Sequence, residues 1–280
     1  LRVFPIKEVS DIGRKHNIPL IMDNTASPVI CKPLDHGAAV VVHSLTKFIG
    51  GHGTVIGGCL VDGGNFDWTA DPKRQPLFNE PDASYGGAVW GEVVPQLTGA
   101  NVAFAVRARV CLLRDLGAPL APDNAWGIIQ GLETAPLRMK QHCSNAEKVV
   151  DFLTKHKSVT RVIYPTLHKG TVGDRAKKYF KGGNGALVGI EVKGGVEAGK
   201  KFIEALKMFY HVANIGDARS LAIHPATTTH SQLTEEELLA AGVTPGYVRL
   251  SIGIEHPDDI IADLKQALDA SGKPGLKAVS

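Results

Sequence analysis

Four polar side chains follow two apolar runs within the first 50 residues, and their types suit one kind of chemistry. Asp23 ends the run IPLIMD, and Ser44, Thr46 and Lys47 end the run AAVVVHSLTK. If the two runs are neighbouring strands, these side chains meet at the sheet edge where ligands bind in open α/β folds. A lysine can form a Schiff base with an aldehyde, a carboxylate can keep a pyridinium nitrogen protonated, and hydroxyls can bind phosphate. The set suits a phosphate-bearing aldehyde cofactor, although Asp23 taken alone is better explained as capping a turn.

The glycines after Lys47, in the stretch KFIGGHG, do not match a known phosphate loop. In a Walker A loop the lysine follows the glycines, whereas Lys47 precedes them, and the spacing is not GxGxxG. We interpret these glycines as a tight turn that lets the chain pass close to the cofactor. His43 and His52 have no third ligand at suitable spacing, so we predict no metal site.

The apolar pattern predicts the elements that position these residues. Three Val- and Ile-rich runs are continuous rather than alternating, which is typical of strands buried on both faces of an α/β sheet: residues 18–23, 38–44 and 55–62. A helix is expected before the first run, over residues 5–17. The Gly-, Pro- and Asp-rich residues 63–87 predict a long loop.

The rest of the chain predicts helices first and then a different order of elements. Helices are expected over residues 101–117 and 123–156, the second opened by a capping box and broken or kinked at Pro136. Beyond it, we expect strands at 159–165, 186–194 and 247–255, and helices at 195–207, 234–242 and 256–271. This mixture predicts an α+β domain. We place the boundary near Pro136, which gives domains of residues 1–136 and 137–280.

Composition narrows the class of protein. Of the 280 residues, 44% are hydrophobic and 21% charged, and the formal net charge is only +3, as expected for a globular protein that binds no nucleic acid. No apolar run approaches the roughly 18 residues that span a bilayer, so we predict no membrane partner. The four cysteines are far apart and form no CxxC, which predicts small buried side chains in a reducing, cytoplasmic compartment.

The stretch DNTASPVICKPLDHGAAVVVHSLTKFIGGHG resembles the signature of the Cys/Met-metabolism family of pyridoxal-phosphate (PLP) enzymes. That signature has Asp-Asn-Thr after a strand, then Ser-x-Thr-Lys, then a Gly-Gly-His turn. The resemblance implies PLP fold type I, as in aspartate aminotransferase: part of a large α/β domain with a mixed, mostly parallel sheet, followed by an α+β C-terminal domain. It also implies that Lys47 is the Schiff-base lysine, that Asp23 pairs with the pyridinium nitrogen, and that Ser44 and Thr46 contact the phosphate.

The C-terminal half resembles the same family through NIGDARSLAIHPATTTHSQL and YVRLSIGIE. The resemblance implies that Arg249, before LSIGIE, binds the α-carboxylate of the substrate, and a planar guanidinium suits bidentate binding. From the residue alone, a surface ion pair on a strand is the better explanation. Many members have Ser-Leu-Gly where this chain has Asn214-Ile-Gly, and an asparagine amide can still donate to a carboxylate.

The form NIG, the stretch HPATTTHSQL and the long segment 63–87 resemble the O-acetylhomoserine sulfhydrylase branch of the family. That resemblance implies a γ-replacement that converts O-acetylhomoserine and sulfide to homocysteine and acetate, a step of methionine biosynthesis. Two alternatives stay open: a cystathionine γ-synthase or a methionine or cystathionine γ-lyase, and an inactive proteolytic fragment of such an enzyme. The family's other cofactor contacts lie upstream of the Asp-Asn-Thr motif, so the resemblance implies an N-terminally truncated chain. It also implies a homotetramer built as a dimer of dimers.

Overall fold

The N-terminal part of the computed structural model, which describes residues 1–272, is built on a three-stranded mixed sheet. Its strands are β1 (Ile21–Asp23), β2 (Val40–Ser44) and β3 (Gly58–Asp62), preceded by helix α1 (Ile6–Lys15). β1 runs parallel to β2, and β3 runs antiparallel to β2. The parallel pair brings the carboxyl ends of β1 and β2 to the same edge of the sheet.

The prediction that all three runs are buried on both faces is wrong for β1 and β3. Val40 and Val41 of the central strand β2 are 0% and 3% exposed, but Ile21 of β1 and Leu60 of β3 are 46% and 44% exposed. The reason is their position, because β1 and β3 are the two outer strands of this sheet. A continuous apolar run therefore identified the strands but not which of them lies in the middle.

Residues 63–87 do not form a structureless loop. They include the short helix α2 (Pro76–Asn79) and a 3₁₀ turn (Ala83–Tyr85), and their aromatic side chains belong to a buried cluster. Trp68 lies at its centre, 5.0 Å from Phe66 and 4.7 Å from Phe78 between ring centroids. Three aromatic residues, set among turn-forming ones, supply the apolar area that keeps this segment folded. Helices α3 (Trp90–Thr98) and α4 (Ala103–Arg107) follow, and α4 continues as a π-helical turn (Ala108–Arg114).

Helix α5 (Pro122–Thr154) continues through Pro136. Of the predicted break or kink, the break is therefore wrong, and the kink stays a prediction. Proline removes the hydrogen bond to the carbonyl four residues earlier, and here that residue, Leu132, is 53% exposed. Water can bond to the freed carbonyl on that side. The predicted capping box is also absent, because the helix starts with Pro122 after Ala121, which has no capping side chain. The domain boundary near Pro136 stays a prediction. The last residues of the predicted C-terminal domain, 273–280, lie outside the described residues.

The second half forms a five-stranded sheet in the order β4-β5-β8-β7-β6, flanked by helices. Its strands are β4 (Val159–Ile163), β5 (Leu187–Val192), β6 (Tyr210–His211), β7 (Leu221–Ile223) and β8 (Tyr247–Ser251). Its helices are α6 (Gly170–Tyr179), α7 (Gly195–Ala205), α8 (Glu235–Ala240) and α9 (Pro257–Ser271). Only β6 and β7 pair in parallel, so the mixed α+β order is confirmed.

Two further features bear on the predictions made from composition, namely membrane-spanning helices and the burial of the cysteines. No helix within residues 1–272 has the length and apolar character needed to cross a membrane. All four cysteines are free; Cys31 and Cys143 are buried as predicted, while Cys59 and Cys111 are only partly covered.

Candidate active site

The carboxyl ends of β1 and β2 hold Asp23 and Ser44 close together through Thr25. The Asp23 Oδ1 atom accepts a hydrogen bond from the Thr25 N–H at 2.8 Å, and Thr25 Oγ1 accepts one from the Ser44 N–H at 2.8 Å. Asp23 Oδ2 and Ser44 Oγ make no hydrogen bond within the part of the chain that the structure describes. One carboxylate oxygen and one hydroxyl are thus left to bind a ligand.

Lys47 lies in the turn after β2 and reaches the C-terminal half of the chain. Its Nζ donates to Oδ1 of Asn214, and Arg249 Nη2 donates to the backbone carbonyl of Asn214 at 3.2 Å. Asn214 therefore connects the amine and the guanidinium. In the sequence, Lys47 precedes it by 167 residues and Arg249 follows it by 35. Three predicted site residues meet at one point.

Arg249 lies in the middle of the C-terminal sheet, not on an exposed edge. It sits on β8 between Gly189 of β5 and Ile223 of β7. Burial lowers the pKa of its guanidinium, which nevertheless remains charged at neutral pH. No carboxylate lies within 4.0 Å of it in residues 1–272, whereas the exposed Arg161 forms a surface ion pair with Glu191 at 3.3 Å. A partly buried cation without a counter-ion is suited to an anionic ligand.

The Thr46 hydroxyl is already engaged by the backbone. It accepts a hydrogen bond from the Gly57 N–H at 3.1 Å and donates to the Gly57 carbonyl at 3.3 Å. Because a hydroxyl has one proton, Thr46 must release the Gly57 carbonyl before it can donate to a phosphate. Ser44 is the freer donor of the two predicted hydroxyls.

The lysine loop, residues 47–53, makes a tight turn as predicted. The Gly51 N–H donates to the Lys47 carbonyl at 2.7 Å, and Gly51 has a φ of +73°, in the left-handed region that favours glycine. A Cβ atom at Gly51 would lie 2.0 Å from Nη1 of Arg138, so a side chain here would displace the Arg138 guanidinium. On its other side the Gly51 carbonyl accepts from the Ala218 N–H at 2.8 Å. The loop is held between α5 and the segment that carries Asn214.

Arg138 is the residue at this site that sequence reasoning missed. It is 6% exposed, and its guanidinium donates to the carbonyls of Phe48 at 2.6 Å and Ile49 at 2.7 Å. These are the first two carbonyls after Lys47. Burial lowers the pKa of Arg138. The only signal in the sequence is an arginine on the apolar face of α5, beside Ala135 and Met139.

The histidines near the site are buried or bound to the backbone. His52 Nδ1 lies 2.6 Å from the Gly50 carbonyl, and burial lowers the pKa of His43, whose Nδ1 has no partner among the described residues. His142 is fully buried; its Nδ1 donates to the Ile252 carbonyl at 2.7 Å, which leaves Nε2 unprotonated. Burial lowers the pKa of His142 to about 4, with the charge of Arg138 lowering it further and the Ile252 hydrogen bond opposing the shift.

The free energy of unfolding is expected to fall as the pH is lowered from 6.5 towards 4. In that window the unfolded chain binds a proton that folded His142 does not, so stability is present above the ordinary pKa of 6.5 and is lost below it. The shift corresponds to about 3 kcal/mol, lost by about pH 4. Urea unfolding across this range should show a flatter dependence for His142→Asn, whose Nδ2 lies near the position of the His142 Nδ1 and can still donate to the Ile252 carbonyl. Equal slopes for the variant and the unmodified protein would contradict the assignment.

Comparison with known proteins places this arrangement in a family. A model of the family described as Cys/Met metabolism PLP-dependent enzyme matches residues 1–269. The O-acetyl-L-homoserine sulfhydrylase of Leptospira meyeri is 53% identical over 273 residues, which are 96% of this chain and 61% of that protein. The homocysteine synthase of Schizosaccharomyces pombe is 45% identical over 95% of this chain and 61% of its own length. The chain thus spans about three fifths of the length of these relatives.

Solved structures show the same relationship. A Campylobacter jejuni structure described as an O-acetylhomoserine (thiol)-lyase, which contains N'-pyridoxyl-lysine-5'-monophosphate, is 43% identical and has a TM-score of 0.85 over 95% of this chain and 62% of that one. The cystathionine γ-synthase of Xanthomonas oryzae pv. oryzae is 31% identical, with a TM-score of 0.75 over 97% of this chain and 60% of that one. The expected family and fold class are confirmed, and the chain belongs to the Cys/Met metabolism PLP-dependent enzymes.

Proposed function

We propose that this chain carries the lysine and the carboxylate anchor of an enzyme that converts O-acetylhomoserine and sulfide to homocysteine and acetate. The observation that carries the proposal is the contact of Lys47 and Arg249 with the same residue, Asn214. An α-amino acid has its amino group and its carboxylate on one carbon, so a site for it needs a group for each at short range. The names of the Leptospira and Schizosaccharomyces relatives support this reaction.

The residues at the ends of β1 and β2 fit PLP. Lys47 would bond covalently to the aldehyde, the free Asp23 Oδ2 would accept from the pyridinium N–H, and Ser44 would donate to the phosphate, with Thr46 as a further donor once it leaves Gly57. When bound, PLP supplies an electron sink for the charge that develops at the substrate α-carbon. The carboxylate of Asp23 keeps the ring nitrogen protonated, which that role requires.

The C-terminal residues would hold the substrate. Arg249 would bind the α-carboxylate through its guanidinium fork, and the Asn214 amide, whose Oδ1 faces Lys47, would donate from Nδ2 to the same carboxylate. Lys47, once its nitrogen is released, would take the α-proton as a neutral amine. We further propose that the whole protein acts in the cytoplasm as a homotetramer, a dimer of dimers, with domains divided near Pro136.

The reaction itself is tested by product analysis. We expect the whole translated protein, supplied with PLP, O-acetyl-L-homoserine and sulfide, to release homocysteine and acetate in equal amounts, measured by mass spectrometry. Parallel reactions contain cysteine in place of sulfide, or no nucleophile, and the 280-residue chain is assayed alone. Cystathionine as the preferred product indicates a γ-synthase, and 2-oxobutanoate without a nucleophile indicates a γ-lyase. If the whole protein forms none of these products, the proposal is wrong.

A further inference from the structure

Three buried polar side chains lie along one face of helix α5. Arg138, His142 and Asn145 are 6%, 0% and 0% exposed, and their spacing of four and three residues puts them in line over two turns. We call them the α5 stripe. All three donate hydrogen bonds to backbone carbonyls outside the helix. A polar line inside a helix–sheet interface is unusual, because apolar residues would fill the space without losing hydration.

One end of the stripe holds the lysine loop. Arg138 donates to the carbonyls of Phe48 and Ile49, and a third bond to the Gly131 carbonyl at 2.7 Å ties the guanidinium back to its own helix. The ring of His142 packs edge-on against Phe48, with centroids 5.3 Å apart. The backbone that follows Lys47 is thereby fixed to α5 in both distance and direction.

The other end of the stripe holds the chain that leaves β8, the strand of Arg249. His142 donates to the Ile252 carbonyl, and Asn145 donates to the carbonyls of Gly253 at 3.0 Å and Glu255 at 2.8 Å. Gln141 Nε2 donates to Asn145 Oδ1 at 2.8 Å, which orients the Asn145 amide so that both of its protons face those carbonyls. The same helix face therefore forms hydrogen bonds with the backbone of the lysine loop and with the backbone that follows β8, on the two sides of the proposed site.

We propose that the α5 stripe sets the spacing between the Lys47 amine and the Arg249 guanidinium, so that Arg138, His142 and Asn145 are positioning residues for amino-acid substrates. From Arg138 to Asn145 a rigid helix advances about 10 Å, which makes it a fixed spacer. A misplacement of about 1 Å between groups that hold one substrate can cost about 100-fold in rate. The inference rests on the proposed function, because the spacing matters only if both groups bind the same molecule.

The chemistry of Arg138 supports a positioning role over a purely stabilising one. No carboxylate lies within 4.0 Å of it in residues 1–272, so neutral oxygens alone compensate its buried charge. Such a buried charge is costly, and apolar residues of similar volume often give equal or better stability. Directional bonds to the carbonyls of Phe48 and Ile49 instead prevent the loop from sliding along the helix, which apolar packing would permit.

The test compares two probes that differ only in the carboxylate: L-norvaline and n-butylamine. Both amines can replace Lys47 on the cofactor of the PLP-loaded whole protein, and the change in visible absorbance gives each dissociation constant. Only norvaline also needs Arg249. We expect Arg138→Lys and Asn145→Asp to raise the dissociation constant of norvaline at least about tenfold, but that of butylamine less than about twofold. The matched control is Lys140→Gln, which removes a cation from the exposed face of α5 and should change neither constant.

Equal weakening of both probes, or no weakening of norvaline, would overturn the inference, since general loosening or loss of cofactor affects both alike. If Asn145→Asp or Arg138→Lys does not fold, Gln141→Ala carries the test. The Gln141 side chain is exposed, and the variant removes only its hydrogen bond to Asn145, which orients the Asn145 amide. Failure of the proposed function is distinguishable: a protein without PLP bound at Lys47 shows no absorbance change with either probe, and a γ-synthase or γ-lyase, which would respond to both probes, is identified by its products.

Discussion

Replacing Lys47 with alanine is expected to abolish covalent attachment of PLP and to lower kcat by at least about 10²–10⁴-fold, the contribution of a positioned general base. The geometry explains why no other group can substitute. Lys47 reaches Asn214, next to Arg249, from a turn that Arg138 binds on one side and the Ala218 N–H on the other. Borohydride reduction of the PLP-loaded protein, followed by peptide mass analysis, should find the pyridoxyl group on Lys47 and none in the variant.

Two further variants make this result specific. Lys47→Arg keeps the positive charge but cannot form the covalent bond, so it should also lack the pyridoxyl peptide. Lys73→Ala removes an exposed lysine from the segment after β3 and should behave as the unmodified protein. If the Lys47→Ala protein keeps full activity and borohydride still places a pyridoxyl group on one of its peptides, the assignment of the lysine is refuted.

The residues at the strand ends could be predicted because their signal is local. Asp23 and Lys47 each follow an apolar run directly, and a parallel pairing of those two runs is enough to bring their ends together. The family resemblance added their roles. Asn214 and Arg249 were proposed through the resemblance alone, because their approach to Lys47 depends on contacts across more than 160 residues that no periodicity encodes.

The features that the sequence did not predict share a physical cause. Each depends on where an element lies in the fold. β7 is three residues long, and α6 has two glycines and few apolar residues, so neither produces a periodic pattern. The exposure of β1 and β3 depends on sheet order. Beyond its place on the apolar face of α5, Arg138 gives no signal, because its partners are backbone carbonyls, which every residue possesses. The aromatic core within residues 63–87 was hidden by the turn-forming residues around it.

Replacing Arg249 with alanine is expected to raise KM for O-acetylhomoserine by about 10- to 100-fold, with a smaller effect on kcat. Charge-assisted hydrogen bonds are worth about 1.5–3 kcal/mol, and about 1.4 kcal/mol corresponds to a factor of ten. The guanidinium sits on the central strands of a sheet without a counter-ion among residues 1–272, so a substrate carboxylate would be its charge partner. Steady-state kinetics over a range of substrate concentrations separate KM from kcat.

The pattern across related variants decides between an anchor and a structural arginine. Arg249→Lys keeps the charge but loses the planar fork, so its KM should lie between those of the unmodified protein and the alanine variant. Arg161→Ala removes an arginine of the same sheet that pairs with Glu191 at the surface, and it should leave KM unchanged. Because Arg249 also donates to the Asn214 carbonyl, the alanine variant should lose some stability as well. An Arg249→Ala protein that melts lower but keeps its KM would mean that Arg249 holds Asn214 in place and does not bind the substrate.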